Sequence, residues 1–368
     1  MSVRRVTGIE FHLIRMLMIL NIWWIGTRLY KHPGKSLRTM AILLKNLDKI
    51  NGGRRPFRAF KGNGKYVRGI FNPHWPSKAF NTFFAGVLHE IEPISERHTS
   101  LRRLLIAITK KCPLRCEHCS EADTLYQDDI LTYNQLKDKI ENFVKQGVAQ
   151  LVYSGGEPLT RFDDLTKLIE HFKGDCNQWI YTSGFGLTLQ KAHVLKHAGL
   201  HGAAISLDHH LEDNHNHFRG NSKSFSFVKE AVKNCNTVGI MTALNLCPTQ
   251  EYIELFDLND YFKLAKDLNV QVVNIIEPRA VGNYLGKKVE LSFEQKDKLY
   301  ALSDKYNFEK SFVDFPTVAY PASHRRTLPC GGGKSYLFLD FDGKIYPCPF
   351  CKVQVSAFNL KEKTCLIP

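Results

Sequence analysis

Residues 104–119 read LLIAITKKCPLRCEHC, an apolar run followed by three closely spaced cysteines. Residues 104–109 are typical of a buried β-strand, because the run is short, apolar and partly β-branched. The stretch QLVYSGGEP at residues 150–158 repeats this arrangement with a glycine pair in place of the cysteines. In both stretches the polar motif begins where the strand ends, which is the edge at which parallel sheets bind ligands.

Short apolar runs alternate with helical stretches from residue 101 to residue 276, the pattern of a parallel sheet covered by helices. The predicted strands are residues 104–109, 150–153, 179–182, 203–207, 240–246 and 270–276. The predicted helices are residues 132–146, 162–172, 187–198, 224–234 and 252–268. Six units are too few for a closed eight-fold barrel, so the predicted fold is α/β, a partial (β/α)6 TIM-like barrel.

Positive charge is concentrated at the N-terminus. The first 70 residues hold fifteen Lys or Arg against only Glu10 and Asp48, in a chain whose net charge is +14. The rest of the chain is therefore nearly neutral, and a nucleic-acid groove across the catalytic body is not expected. Residues 9–30 are apolar, but Arg15 and Arg28 bracket an unbroken part shorter than the roughly 20 residues of a spanning helix.

Residues 1–95 are predicted to form an N-terminal helical extension, with helices at residues 9–30 and 36–50. Trp23 and Trp24 lie among cations, as in helices that lie in a membrane interface. An anionic membrane surface is the expected partner. Plain packing on the barrel and a true spanning helix are the alternatives. Because no small-residue cleavage site follows, we expect a cytoplasmic protein, peripheral at the cytoplasmic membrane face.

The chain has ten cysteines, and their tight spacing favours metal binding in a reducing compartment over disulfides. Thiolates at Cys112, Cys116 and Cys119 can wrap one corner of a [4Fe–4S] cluster, one per iron. No further cysteine follows until Cys176, so one iron would stay open to an exchangeable ligand. A zinc knot that recruits His118 and fortuitous cysteines are the alternatives.

The C-x3-C-x2-C spacing, with Gly155–Pro158 one helix and one strand further on, resembles the radical SAM superfamily. His118 takes the place of the aromatic-like residue before the last cysteine. The resemblance implies that a [4Fe–4S] cluster binds S-adenosylmethionine (SAM) and cleaves it reductively. The resulting 5′-deoxyadenosyl radical would then abstract hydrogen from a substrate.

The same resemblance implies a set of SAM-binding residues. The GGEP motif of the family contacts the methionyl amino group, and Glu157 can accept hydrogen bonds from an ammonium. Residues 182–184 are similar to the family's Thr-Asn-Gly turn, and Arg279 could pair with the SAM carboxylate. Capping, strand-end and surface roles stay open for Asp208, Asn245 and Arg279 respectively. The cofactor-binding prediction comprises Gly155, Gly156, Glu157, Pro158, Ser183, Ser206, Asp208, Asn245 and Arg279.

A second cysteine group surrounds a predicted β-hairpin that turns at Asp342-Gly343. The Gly343-x4-Cys348 step resembles the SPASM/twitch type of auxiliary-cluster domain, and four cysteines favour the shorter twitch type with one second Fe–S cluster. A zinc ribbon is the alternative. The predicted ligands are Cys330, Cys348, Cys351 and Cys365. The other cysteines are expected to be buried small hydrophobes, although Cys247 could face the active site.

Three regions follow: the extension (residues 1–95), a radical SAM core (96–300) and a small C-terminal β-hairpin Cys-rich domain (301–368). The expected substrate is a peptide, as for many SPASM or twitch relatives, and a lipid is the alternative that the N-terminal segment favours. A reductant such as flavodoxin or ferredoxin is the expected electron donor. The alternative to an enzyme is a non-catalytic metal-binding scaffold.

Overall fold

The computed structural model describes residues 3–54, 56–95, 98–326 and 329–352. The N-terminal extension combines a small antiparallel sheet, in the order β1-β2-β3, with three helices. The sheet was not predicted, because strands of three or four residues leave no alternation long enough to detect. Its elements are β1 (Arg4–Val6), α1 (Gly8–Tyr30), α2 (Pro33–Ile50), β2 (Ala59–Gly62), β3 (Lys65–Val67) and α3 (Lys78–Ile91).

Six parallel strands then form the centre of a larger sheet, each hydrogen-bonded to the next along the chain. This order confirms the α/β fold and the partial (β/α)6 barrel. The elements are β4 (Arg103–Ala107), α4 (Tyr133–Lys145), β5 (Gln150–Ser154), α5 (Phe162–His171), β6 (Asn177–Thr182), α6 (Leu189–Ala198), β7 (Gly202–Ser206), α7 (Glu212–Arg219), α8 (Ser224–Val238), β8 (Met241–Leu246), α9 (Gln250–Leu255), α10 (Leu258–Asp267) and β9 (Val272–Ile275).

Two helices differ from the prediction. The helix expected at residues 252–268 is two helices, because Asp257 caps α10 by accepting a hydrogen bond from the backbone N–H of Asn259 at 2.9 Å. Helix α7 was missed, since its sequence EDNHNHFR carries almost no apolar residue from which a period could be recognised.

C-terminal segments extend both edges of the barrel sheet. After α11 (Phe293–Phe308), β10 (Thr317–Ala319) pairs in parallel with β9. The predicted hairpin is formed by β11 (Tyr336–Leu339) and β12 (Ile345–Tyr346), and β11 pairs in parallel with β4. The expected boundary between residues 300 and 301 falls inside α11. The C-terminal region shares the barrel sheet through β10 and β11.

The extension closes the amino-terminal end of the barrel. Phe60, Val67 and Ile70 pack against strand residues of the concave face, among them Val152 and Trp179. The chain is further fixed by Arg103 at the start of β4, whose Nη2 donates to the carbonyl of Phe71 at 2.9 Å. The larger cavity of the barrel lies towards the opposite end, where the cysteine loop lies.

Candidate active site

A cavity of about 410 Å³ lies at the carboxyl ends of β4–β9. Parallel barrels bind their ligands at this edge. Tyr336 of the hairpin and Phe71 of the extension complete its wall. The predicted site residues that line the cavity are Cys112, Cys116, Cys119, Gly155, Gly156, Ser183, Ser206, Asp208, Asn245, Arg279 and Cys348.

The end of α7 and the segment around residue 283 hold the cysteine loop by its backbone. Glu117 N donates to the carbonyl of Phe218 at 2.9 Å, and Asn283 N donates to that of Cys119 at 3.0 Å. Asn283 Nδ2 also donates to the carbonyl of Cys116 at 3.0 Å. Gly282 allows this approach, because a Cβ there would lie 2.1 Å from the Cys119 oxygen. The loop's shape is thus set by segments 101 to 167 residues away, which the motif alone did not show.

The three thiols lie in a setting that suits a cluster. Burial raises the pKa of Cys112 to about 12 and also raises the pKa of Cys119, so iron binding would displace thiol protons. In the described part of the chain, no three Cys, His, Asp or Glu side chains meet closely enough to bind a single metal ion. A cubic cluster takes each thiolate on a different iron, so three thiols spread around one open cavity fit it.

A buried ion pair stands behind Cys116. Arg219 Nε donates to Asp208 Oδ2 at 2.6 Å, and Arg219 Nη1 contacts Cys116 Sγ at 3.6 Å. Burial alone would raise the pKa of Asp208, but Arg219, His118, His215 and the backbone N–H of Cys247 together outweigh it and the pKa is lowered. Asp208 was predicted to bind the cofactor; it lines the cavity, yet its carboxylate is used by Arg219 and by the backbone N–H of Cys247 at 3.1 Å. Sequence reasoning missed Arg219, because nothing in α7 marks it.

The glycine pair is required by close backbone packing. Gly155 has φ +135°, and a Cβ there would lie 2.3 Å from the carbonyl oxygen of Thr109. At Gly156 a Cβ would lie 2.4 Å from the carbonyl oxygen of Lys111. Gly156 N donates to Thr109 O at 2.8 Å, so the end of β5 is bound directly to the start of the cysteine loop. Both glycines present backbone to the cavity, in agreement with their predicted position.

Glu157 and Pro158 do not line the cavity, which corrects their prediction as direct cofactor ligands. Glu157 is 1% exposed, and each of its oxygens already accepts two hydrogen bonds. The shortest come from Ser183 Oγ at 2.6 Å and Thr182 Oγ1 at 2.7 Å. The carboxylate therefore holds the turn after β6 in place and has no free acceptor position for an ammonium.

Polar side chains end three adjacent strands. Ser206, Asn245 and Asn274 lie on β7, β8 and β9 and line the cavity. Asn274 Nδ2 donates to Asn245 Oδ1 at 2.8 Å, while Asn274 Oδ1 is buried and has no hydrogen-bond partner. A buried amide oxygen without a donor is costly, so it is suited to accept from a ligand. Asn274 was missed because it lies inside an apolar run.

Arg279 lines the cavity as predicted, but it has a protein partner. Its Nη2 donates to Glu277 Oε2 at 3.2 Å, and the hydroxyl of Tyr320 donates to Glu277 Oε1 at 2.7 Å. Contact between Arg279 and a SAM carboxylate would have to be made by its remaining N–H groups, and it stays a prediction.

The second cysteine group borders the same cavity. Cys348 lines it, and the hairpin brings Cys330 close enough to contribute to the raised pKa of Cys348, which burial mainly causes. Cys351 N donates to the carbonyl of Cys348 at 3.1 Å. Cys365 lies outside the described residues. The structure thus places Cys348 of the second group at the cavity that the first group lines.

A buried charge network joins the two cysteine segments. Lys110, directly before the cysteine loop, is 0% exposed and pairs with Glu121 and, at 2.8 Å, with Asp340 Oδ1 of the hairpin. Lys352, next to Cys351, pairs with Glu121 at 2.7 Å and Asp340 at 3.1 Å. The three buried charges, Lys110, Glu121 and Asp340, are balanced by the exposed Lys352.

Comparison with known proteins agrees with this geometry. Residues 106–250 match the family model of the Radical SAM superfamily. The chain is 23% identical over 309 residues to an AdoMet-dependent heme synthase of Oleidesulfovibrio alaskensis, covering 77% of this chain and 78% of that one. It is 26% identical over 253 residues to a PqqA peptide cyclase of Streptomyces rochei, covering 67% and 68%.

Solved structures show the same fold. Streptococcus suis SuiB bound to precursor peptide SuiA superposes with a TM-score of 0.59 at 14% identity, over 72% of this chain and 64% of SuiB. This chain thus spans just under two thirds of SuiB. Native anSMEcpe with bound AdoMet gives a TM-score of 0.51 at 17% identity, over 68% of this chain and 75% of that one. Both match the partial barrel described above. The chain therefore contains a radical SAM domain at residues 106–250, and this domain together with its radical SAM relatives supports an iron–sulfur enzyme that depends on S-adenosylmethionine.

Proposed function

We propose that this enzyme cleaves SAM reductively at a [4Fe–4S] cluster held by Cys112, Cys116 and Cys119, and that the radical abstracts hydrogen from a peptide. The observation that carries the proposal is the shared cavity, which brings three cysteines together with the Gly155–Gly156 backbone. When bound, the cluster supplies the electron that breaks the carbon–sulfur bond of SAM. The protein's own residues bind, orient and shield.

The polar residues of the cavity suit different parts of SAM. The Gly155–Gly156 backbone can approach the methionyl group closely, because no side chain intervenes. Asn274 Oδ1, which lacks a protein donor, can accept a hydrogen bond from a ligand. No described side chain in the cavity needs to act as a strong acid or base.

The test is SAM cleavage by the reconstituted enzyme. Iron and sulfide are loaded anaerobically, dithionite is added, and 5′-deoxyadenosine is measured. The variant Cys112→Ala/Cys116→Ala/Cys119→Ala should lose the product, while the matched variant Cys235→Ala, buried in α8, should keep it. Iron loading without any 5′-deoxyadenosine, or product formed by the triple variant, would refute the proposal.

A peptide substrate is supported by two relatives, SuiB with its precursor peptide and the PqqA peptide cyclase. Deuterium transfer distinguishes peptide from lipid. The enzyme is incubated with a deuterated peptide fraction or a deuterated lipid extract of its host, and deuterium in 5′-deoxyadenosine is measured by mass spectrometry. Transfer from the peptide fraction supports our proposal, and transfer from the lipid extract alone overturns it. Flavodoxin or ferredoxin is the proposed reductant in the cytoplasm.

We also propose a second Fe–S cluster at Cys330, Cys348, Cys351 and Cys365. Its support is the closeness of Cys330 to Cys348 at the cavity edge. Iron counting tests it, since Cys330→Ala/Cys348→Ala should halve the iron per chain and leave the first cluster's EPR signal with SAM unchanged. Wild-type protein that holds zinc and only enough iron for one cluster would identify a zinc ribbon and contradict the second cluster.

The membrane proposal rests on α1, which is long and apolar enough by composition to cross a membrane. One side of α1 is packed, with Phe11 and Ile25 buried, and the other carries an exposed apolar stripe. Exposed Arg38, Lys45 and Lys49 of α2 lie nearby in sequence. This arrangement favours a helix lying on an anionic surface. The stripe comprises Ile9, Leu13, Met16, Leu20 and Trp24.

Vesicle flotation tests this surface. Leu13→Glu/Leu20→Glu should abolish binding to phosphatidylglycerol vesicles, and Leu255→Glu, another exposed leucine, should not. Equal flotation of both variants would contradict the proposal.

A further inference from the structure

A second cavity of about 340 Å³ lies at the opposite end of the barrel, between the extension and the sheet. The extension contributes Lys65 and His74 to its lining, and the barrel contributes Lys173, Lys196 and His201. No Asp or Glu of the described residues lines it. Three lysines and two histidines therefore line one cavity that no described carboxylate lines.

Hydrogen bonds fix the tautomer of His74. Asn177 Oδ1 accepts from Trp179 Nε1 at 2.9 Å and from Gln150 Nε2 at 3.0 Å. Because the indole N–H can only donate, this assignment makes Asn177 Nδ2 the group that contacts His74 Nδ1 at 2.8 Å. His74 Nδ1 is thus an acceptor, and its proton lies on Nε2.

The same argument holds for His201. Its Nδ1 accepts from the backbone N–H of Gln178 at 3.2 Å, so its proton also lies on Nε2. The two rings lie side by side, with centroids 5.0 Å apart. Neither Nε2 has a partner among the residues that the structure describes, and both rings line the cavity. Each ring can donate one N–H to a ligand.

The charges keep these rings neutral. Burial, with smaller contributions from Lys65 and Lys196, lowers the pKa of His201 to about 3. The same two lysines act on His74, whose pKa burial also lowers. Two of the three amines are anchored to backbone, since Lys173 Nζ donates to His197 O at 2.8 Å and Lys196 Nζ to Gly239 O at 2.5 Å. The cavity lining therefore combines two anchored lysines, the unanchored Lys65 and two neutral imidazole donors.

We propose that this cavity binds a phosphate-bearing anion. A phosphate group carries a charge near −2 at neutral pH and three acceptor oxygens, which matches three ammonium groups and two imidazole N–H donors better than a carboxylate does. The ligand would bridge the extension and the barrel, because each contributes donors. It would lie apart from the SAM cavity, since Phe60, Val67 and Ile70 fill the barrel between them.

The ligand has two possible sources: a dissolved phosphate compound, or the headgroup of a phospholipid at the membrane beside the extension. Binding of inorganic pyrophosphate to the full-length protein is measured by isothermal titration calorimetry, with a parallel thermal melt. Phosphatidylglycerol vesicles are tested by flotation. Loss of one of three lysines from the site should weaken binding about tenfold, as expected for roughly one ion pair.

Lys65→Glu is the diagnostic variant, because Lys65 lines the cavity and has no backbone anchor like those of the other two lysines. Lys233→Glu, an exposed lysine on α8, makes the same charge change elsewhere, and Lys65→Gln serves if the first variant does not fold. Pyrophosphate binding that raises the melting temperature and is weakened only by the Lys65 variants supports a dissolved ligand. Vesicle binding weakened only by those variants supports a headgroup. No saturable binding of either probe to wild-type protein, or equal binding by Lys65→Glu and Lys233→Glu, overturns the proposal.

Discussion

Arg219 contacts Cys116 Sγ through Nη1 at 3.6 Å while its Nε donates to the buried carboxylate of Asp208. Hydrogen bonds and net charge around cysteine sulfur set the potential of an Fe–S cluster. A guanidinium next to one ligand favours the more negative, reduced cluster. Arg219 is thus a positioning residue for the predicted cluster, and Asp208 orients it.

We predict that Arg219→Met lowers the cluster's reduction potential. Loss of the cation should shift it negative by about 60 mV, the equivalent of a factor of ten for a one-electron couple. The measurement is an EPR-monitored redox titration. Arg326→Met, which removes an exposed arginine paired with Asp297, should leave the potential unchanged. A merely structural role would lower stability without moving the potential.

For Glu157 we predict a structural role. Glu157→Gln replaces two accepting oxygens with one and turns an N–H₂ towards the backbone N–H and hydroxyl of Ser183. We expect a loss of about 2–4 kcal/mol in the free energy of unfolding, because buried donors lose their acceptor. Pro158→Ala, its neighbour, should cost much less. If Glu157 bound SAM directly, Glu157→Gln would weaken SAM binding and leave the urea midpoint unchanged.

Gly155→Ala tests the close approach of two loops. Its Cβ would lie 2.3 Å from Thr109 O at φ +135°, so the cysteine loop would have to shift. We expect loss of SAM binding in equilibrium dialysis. Gly174→Ala is the matched control: φ is +87° and no atom lies within 4 Å of the added Cβ, so only about 1 kcal/mol of backbone strain is expected. Equal effects of both substitutions on SAM binding would contradict this explanation.

The barrel was predictable from the sequence because each buried parallel strand is a local run of apolar residues. The pairing of β11 with β4 was not predictable. Tyr336 and Arg103 pair across more than 200 residues, and the sequence of neither strand indicates which strand it pairs with. Strand β10 was missed for the same reason.

The site shows the same limit. Cysteines and glycines are recognisable because their spacing is local. The roles of Arg219, Asn274 and Glu157 depend on which side chains meet in space. A family motif locates Glu157, yet only its four hydrogen bonds show that it faces away from the cavity.

The charge network between the two cysteine segments predicts a pH dependence. Burial would raise the pKa of Asp340, but Lys110 and Lys352 outweigh it and the pKa is lowered. A carboxylate with a lowered pKa stabilises the fold above its unfolded pKa of about 3.9, and this stabilisation is lost as the pH falls below that value. We expect the free energy of unfolding to fall on acidification from pH 5 towards pH 3, measured by urea titration at each pH.

Asp340→Asn should be less stable at pH 7, because Lys110 loses a buried partner, and its stability should depend less on pH in that window. Asp342→Asn, on the hairpin turn with an exposed partner Lys344, should keep the wild-type slope. If the free energy of unfolding of Asp340→Asn depends on pH as steeply as that of wild-type protein, Asp340 does not cause the pH dependence and the prediction is wrong.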